Sequence, residues 1–183
     1  MSLAPFKHIS VENQQIISDK LYDYVLRYTN ILNNEWSWNT LKKDHVLKFV
    51  PEMITECKKI IDADITMVAI VFARPKRTVG IHIDSGNSER FRLLWPIRNC
   101  TGSYTKFFDL NGNEIIEKIG KEGDKFFTIG DKFPLIEIGA AELTTPIVFD
   151  SRIPHGVFTN PMCLGARLTA TIGFAKDLRY LLE

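Results

Sequence analysis

The triplet His82-Ile83-Asp84 sets an imidazole and a carboxylate two residues apart. On a β-strand, side chains alternate between the two faces, so His82 and Asp84 project from one face and converge on one point. A second histidine, His155, follows Phe149-Asp150-Ser151-Arg152-Ile153-Pro154 at the end of another strand-like run. Two imidazoles and a carboxylate are the donor set that holds non-haem Fe(II) on one face and leaves its other positions open. Arg167 opens the run RLTATIGFA beyond His155, and Thr169 shares its face. A planar guanidinium beside a hydroxyl suits a carboxylate gripped through two parallel hydrogen bonds. The HxD triplet alone is common; its order with a distal histidine and an Arg-x-Thr, each on or beside a predicted strand, is what discriminates. His8 and His45 have no such company and are expected at the surface.

These side chains need a β framework, and the chain changes character near residue 64. Before it, Ile16, Ile17, Leu21, Tyr24, Val25, Tyr28, Ile31 and Leu32 recur at helical spacing after Ser10, a plausible N-cap. Pro51 suits the first position of a second helix running to about Ile61. Trp36 and Trp38 alternate with polar residues between the two, in a segment left unassigned. From Asp64 onward the residues favour strands. Ile65 to Ala73 is a continuous apolar run, the mark of a strand covered on both faces. Further strands are predicted at Val79–Asp84, Arg90–Ile97, Ser103–Asp109, Phe126–Ile129, Leu135–Ile138, Ile147–Asp150 and Leu168–Ala175, with turns at 85–88, 111–113 and 160–165. Short strands punctuated by turns predict an antiparallel sandwich or barrel. The expected architecture is mostly β: a jelly-roll core over 64–175, a helical N-terminal layer over 1–63 packed against it, and a short C-terminal helix over 176–183, all in one domain.

One predicted strand has two unlike faces. Phe91, Leu93, Trp95 and Ile97 read as core, while Arg90, Arg92 and Arg98 on the other side read as a solvated face. The alternative for that basic face is a pocket for an anionic substrate. Arg92, Trp95 and Arg152 are carried as candidate substrate contacts.

Composition narrows the function. The chain has 183 residues, 45% of them hydrophobic and 25% charged, which is ordinary globular usage for one domain. Lys plus Arg number 23 against 22 acidic residues, a net charge of +1, which argues against a general nucleic-acid binder. The longest apolar stretch is too short to span a bilayer, and MSLAPFKHIS has no apolar signal-peptide core. Three widely spaced cysteines, Cys57, Cys100 and Cys163, suggest neither a disulfide framework nor a metal knuckle, and Cys100 and Cys163 read as small apolar fillers. The expectation is a cytoplasmic protein whose oligomeric state the sequence does not report.

The segments GIHIDSG (80–86), RLLWPIRNCTGSYTKFFD (92–109), IVFDSRIPHGVFTN (147–160) and RLTATIGF (167–174) resemble the Fe(II)/2-oxoglutarate-dependent oxygenase superfamily. The likeness covers about residues 66–175. It implies a double-stranded β-helix, with His82, Asp84 and His155 as Fe(II) ligands. Arg167 and Thr169 would anchor the far carboxylate of the co-substrate 2-oxoglutarate, and Tyr104 and Thr105 would hydrogen-bond it. Three protein ligands then leave two positions for bidentate 2-oxoglutarate and one for O2, and the reaction implied is hydroxylation of a C–H bond. The surroundings of Trp95 and Asn99 are also similar to small phage and bacterial proteins grouped with the aspartyl/asparaginyl β-hydroxylases. Some of those proteins keep two histidines and no carboxylate, whereas this chain has Asp84. The implied substrate is a small molecule or a peptide. Two other readings stay open: a cupin-like metal enzyme without 2-oxoglutarate, though no HxH is present, and a non-catalytic β-sandwich binding module.

Overall fold

The computed structural model describes residues 4–33, 36–75, 78–84, 90–119, 125–159 and 165–183. The chain runs β1 (Phe6–His8), α1 (Gln14–Tyr28), β2 (Trp36–Thr40), α2 (Lys43–Phe49) and α3 (Pro51–Ile60). Ten more strands follow: β3 (Ile65–Ala73), β4 (Thr78–Ile83), β5 (Phe91–Arg98), β6 (Ser103–Asp109), β7 (Ile115–Ile119), β8 (Lys125–Ile129), β9 (Ile136–Glu142), β10 (Ile147–Asp150), β11 (His155–Thr159) and β12 (Arg167–Phe174). They form two six-stranded sheets, ordered β1-β10-β5-β12-β3-β2 and β7-β8-β4-β11-β6-β9. Every pairing is antiparallel. From β3 to β6, and again from β10 to β12, successive strands alternate between the sheets, which is the jelly-roll arrangement.

The first sheet is covered on its outer face by the helices. Ile17, Leu21 and Val25 of α1 and Met53 and Cys57 of α3 pack with Ile70, Phe72, Leu93, Trp95, Ile97, Leu168, Ala170 and Ile172 in one buried cluster. A smaller cluster lies between the sheets, made of Leu94, Cys100, Phe107, Ala141, Leu143, Ile147 and Phe149. Among the described residues, no helix is long and apolar enough to cross a membrane.

Ile65–Ala73, Ser103–Asp109 and Ile147–Asp150 are strands over their predicted spans, and Pro51 opens α3. The turn at 111–113 places Asn111 and Gly112 in the left-handed region, which these two residue types tolerate best. Other elements differ from expectation. The first helix starts at Gln14, not after Ser10; its N-cap residue, Asn13, uses its side chain on Glu56 Oε1 (2.7 Å) and caps no amide. The N-terminal layer also holds two strands, β1 and β2, which extend both ends of the first sheet. The C-terminal helix shrinks to one 3₁₀ turn, Arg179–Leu181, with Leu178 and Leu182 buried in the helix-side cluster. β7 escaped notice because all five of its residues are exposed, which erases the alternation that marks a half-buried strand. His8 and His45 are exposed as expected, but both have partners: His8 Nδ1 meets Thr145 Oγ1 at 2.8 Å, and His45 Nδ1 meets Tyr24 Oη at 3.1 Å. Cys57 and Cys100 are buried and free, and burial pushes the Cys57 thiol up to about 12. The turn at 85–88, residues 160–164 of the turn at 160–165, and Cys163 lie outside the described residues.

Candidate metal centre

β4 and β11 are antiparallel neighbours, and their register sets His82 opposite His155. The alternation along β4 then brings Asp84, just past the strand end, to the same face as His82. Its backbone N–H donates to the Ser151 carbonyl (3.1 Å), which ties the end of β4 to the turn that leads into His155. That turn is held in its own right: the Arg90 Nε donates to both Asp150 oxygens at 2.9 and 3.0 Å, and Asp150 Oδ1 also accepts the Arg152 N–H. Arg90, expected on a solvated face, is thus a brace for the loop.

The three side chains converge. The imidazole centroids are 4.6 Å apart, Asp84 Oδ1 is 3.4 Å from His82 Nε2, and Asp84 Oδ2 is 3.8 Å from His155 Nε2. One donor atom from each residue falls within 4.8 Å of the other two, so the group could hold a metal ion. The outer nitrogens are spoken for: His82 Nδ1 donates to the Gly80 carbonyl and His155 Nδ1 to the Ile153 carbonyl, both at 2.8 Å. A carbonyl only accepts, so Nδ1 carries a proton in each ring, and whenever a ring is neutral its Nε2 lone pair faces the centre. Sequence reasoning did not identify these carbonyl partners, because backbone groups carry no residue signature.

The charge states of Asp84 and His155 suit a cation. Burial alone would raise the Asp84 carboxyl, but His82, His155 and Arg92 together hold it at about 2. Burial drives His155 down to about 4, leaving it neutral at neutral pH. Burial also opposes charge on His82, yet the hydrogen bond and charge of Asp84 outweigh it and raise that pKa. Arg92 Nη1 donates to Asp84 Oδ2 at 2.7 Å, and the guanidinium lies 5.7 Å from the Trp38 ring centroid. Arg98 is exposed as expected and pairs with Asp19 of α1 at 2.7 Å, but Arg92 is only 5% exposed and faces the interior between the sheets. Packing of the apolar side against the helices leaves it no other direction.

The same cavity is lined by Arg167, Thr169 and Thr105. Arg167 is 2% exposed, and its Nη2 donates to Thr105 Oγ1 at 2.9 Å. Its Nε–H is buried with no acceptor. No ion pair reaches this guanidinium among the described residues; its other neighbour is the Cys100 thiol, and burial lowers its pKa. A buried cation is costly unless an anion answers it. A carboxylate or a similar anion beside the three side chains could answer it.

Three expected contacts are not brought to this place. Tyr104 is exposed on β6, because Thr105 takes the inward position and alternation turns its neighbour out. Trp95 lies on the helix-side face of β5, fully buried, with Nε1 donating to Ser18 Oγ at 3.0 Å. Arg152 is exposed in the turn before His155 and is absent from the cavity lining. In their stead the walls include Trp38 of β2, Val71, Thr171 and Val157. Trp38, 39% exposed, was legible as one of two tryptophans alternating with polar residues, but nothing local tells that this strand joins the sheet beside β3.

No family model matches the chain, and no curated protein matches it in sequence. Solved structures do. The epimerase SnoN, in complex with Fe3+, alpha ketoglutarate and nogalamycin RO, has a TM-score of 0.56 at 8% identity, over 92% of this chain and 78% of SnoN. HygX from Streptomyces hygroscopicus, with nickel and 2-oxoglutarate bound, has a TM-score of 0.53 at 10% identity, over 96% of this chain and 84% of HygX. At such identities the likeness is one of fold. The chain thus has a jelly-roll fold similar to the folds of SnoN and HygX.

Proposed function

We propose that this protein is an Fe(II)- and 2-oxoglutarate-dependent oxygenase that oxidises a C–H bond, by hydroxylation, of a small-molecule or peptide substrate, its whole length forming one domain. The observation that carries the reading is Arg167, a buried guanidinium with an orphan Nε–H and no carboxylate partner among the described residues, in the cavity where His82, Asp84 and His155 converge. His82, Asp84 and His155 would hold the ion, two nitrogens and one oxygen being the donor set that Fe(II) takes while keeping open positions. When bound, iron and 2-oxoglutarate supply the oxidation, in which O2 is consumed, 2-oxoglutarate becomes succinate and CO2, and the substrate C–H bond is oxidised. The protein's own part is positional. The Gly80 and Ile153 carbonyls aim the two imidazoles, and the low pKa of Asp84 keeps its carboxylate charged. Arg167, steadied by Thr105 and flanked by Thr169, would grip the far carboxylate of 2-oxoglutarate. Val71, Val157, Leu94 and Phe149 give the cavity wall an apolar part.

Anaerobic titration of the protein with Fe(II), with and without 2-oxoglutarate, tests the reading. The expected result is a weak visible charge-transfer band that needs both, and that disappears in Arg167→Leu while iron uptake persists. Iron uptake with no band and no calorimetric 2-oxoglutarate binding would remove the co-substrate.

A further inference from the structure

The side of Asp84 away from His82 is already engaged. Oδ1 approaches His82 Nε2 at 3.4 Å; Oδ2 lies 3.8 Å from His155 Nε2, but it is this oxygen that Arg92 Nη1 holds, donating to it at 2.7 Å. A carboxylate can bind a divalent ion through one oxygen or through both. A charge-assisted hydrogen bond to one oxygen draws its electron density and resists rotation of the carboxylate. Arg92 is itself held: it sits in the middle of the first sheet, paired in register with Gly173 of β12, its guanidinium against Trp38.

We propose that Arg92 is a positioning residue that restricts Asp84 to coordination through Oδ1 alone. This rests on the metal-centre reading above and extends it. The consequence is a matter of counting positions. Three protein donors would leave a six-coordinate ion three places, enough for a chelating 2-oxoacid and O2. A second Asp84 oxygen would take one of them. Arg92 thus protects the co-substrate's place without touching the co-substrate.

The test uses the full-length protein loaded anaerobically with Co(II), an optical stand-in for Fe(II), and compares wild type with Arg92→Met and Arg92→Lys. In protein labelled with 13C-aspartate, the infrared difference between metal-loaded and metal-free states reports the separation of the carboxylate stretches. That separation is wide for one-oxygen binding and narrow for two. The expectation is wide in wild type, narrow in Arg92→Met and wide again in Arg92→Lys, which restores a charged donor. The affinity of the Co(II)-loaded Arg92→Met protein for 2-oxoglutarate should fall by about tenfold or more, the order of loss that follows when a support to a metal ligand is removed. A narrow separation in wild type overturns the proposal, and that spectrum decides even if Arg92→Met does not fold. So does a folded Arg92→Met with wild-type separation and affinity. The two readings fail separately. A wide separation in a wild type that binds no 2-oxoglutarate removes the co-substrate and leaves the one-oxygen role of Arg92. Normal 2-oxoglutarate binding with a narrow separation does the reverse.

Discussion

The two faces of β12 are both buried, yet they are made of different chemistry. Leu168, Ala170, Ile172 and Phe174 look outward and join the cluster that seats the helices. Arg167, Thr169 and Thr171 look inward and line the cavity. β5 repeats the division, with Phe91, Leu93, Trp95 and Ile97 on the helix side and Arg92 and Leu94 on the cavity side. A strand buried on both faces is ordinarily apolar throughout, as β3 nearly is. Each apolar side chain taken fully from water contributes about 1.5–3 kcal/mol, while a polar group buried without a partner works against folding. The helix side therefore carries the stability, and the cavity side gives some of it up to hold reactive groups.

That division can be broken by substitution. The largest effect belongs to the cavity side: Asp84→Ala or His155→Ala should abolish tight Fe(II) uptake, measured by anaerobic titration, in a protein whose circular dichroism is unchanged. Either variant keeping wild-type iron affinity would remove the site. On the helix side, Trp95→Ala should lower unfolding free energy by about 3–5 kcal/mol in urea, through the cavity it leaves, with iron affinity of the folded protein intact. An equal loss of iron affinity would mean the faces are not separable.

Arg167→Leu sharpens the contrast, because its sign is opposite. Removing a buried cation that has no counter-charge among the described residues should stabilise the metal-free protein, by about 1–2 kcal/mol in the same urea assay, while abolishing any 2-oxoglutarate-dependent stabilisation. Destabilisation would show that the guanidinium is structural. The smallest effect concerns Glu56, the helix side's own buried charge. Its carboxylate accepts from Lys59 Nζ at 2.8 Å and Asn13 Nδ2 at 2.7 Å, and these bonds, Lys59 first, hold its pKa below the ordinary 4.5. A carboxyl with a depressed folded pKa stabilises above its unfolded value, and the contribution is lost as pH falls through the folded one. The stability gap between wild type and Glu56→Gln should thus be widest near neutrality and close on acidification below 4.5, in melts run across that range. A gap that does not move with pH would leave Glu56 as packing only. Glu56 is answered from within its own layer; Arg167 is not, and that difference separates a structural charge from one kept for a ligand.

Much of this was legible locally. The β-branched run at 65–73, the alternation of apolar and polar residues along β5 and β12, Pro51 at a helix start and the two-residue spacing of His82 and Asp84 are short-range signals, and backbone sterics translate them directly. His155 and Arg167 were identifiable as partners by type and order, but their meeting point was not. The segment of Trp36 and Trp38 carried a strand's alternation without a neighbour to pair with. Asn13, near the start of the first helix, was diverted from capping by Glu56 on another element.

The sequence by itself determined which residues share a face of each strand, and hence that an imidazole and a carboxylate stand together and that a guanidinium stands beside hydroxyls. Tertiary structure decided which face is inside. Helices covering the Trp95 side turned Arg92 inward onto Asp84, and the pairing of β4 with β11 set His155 opposite His82. The physical reason is that alternation is a property of one strand's backbone, whereas register and cover belong to partners far away in the chain.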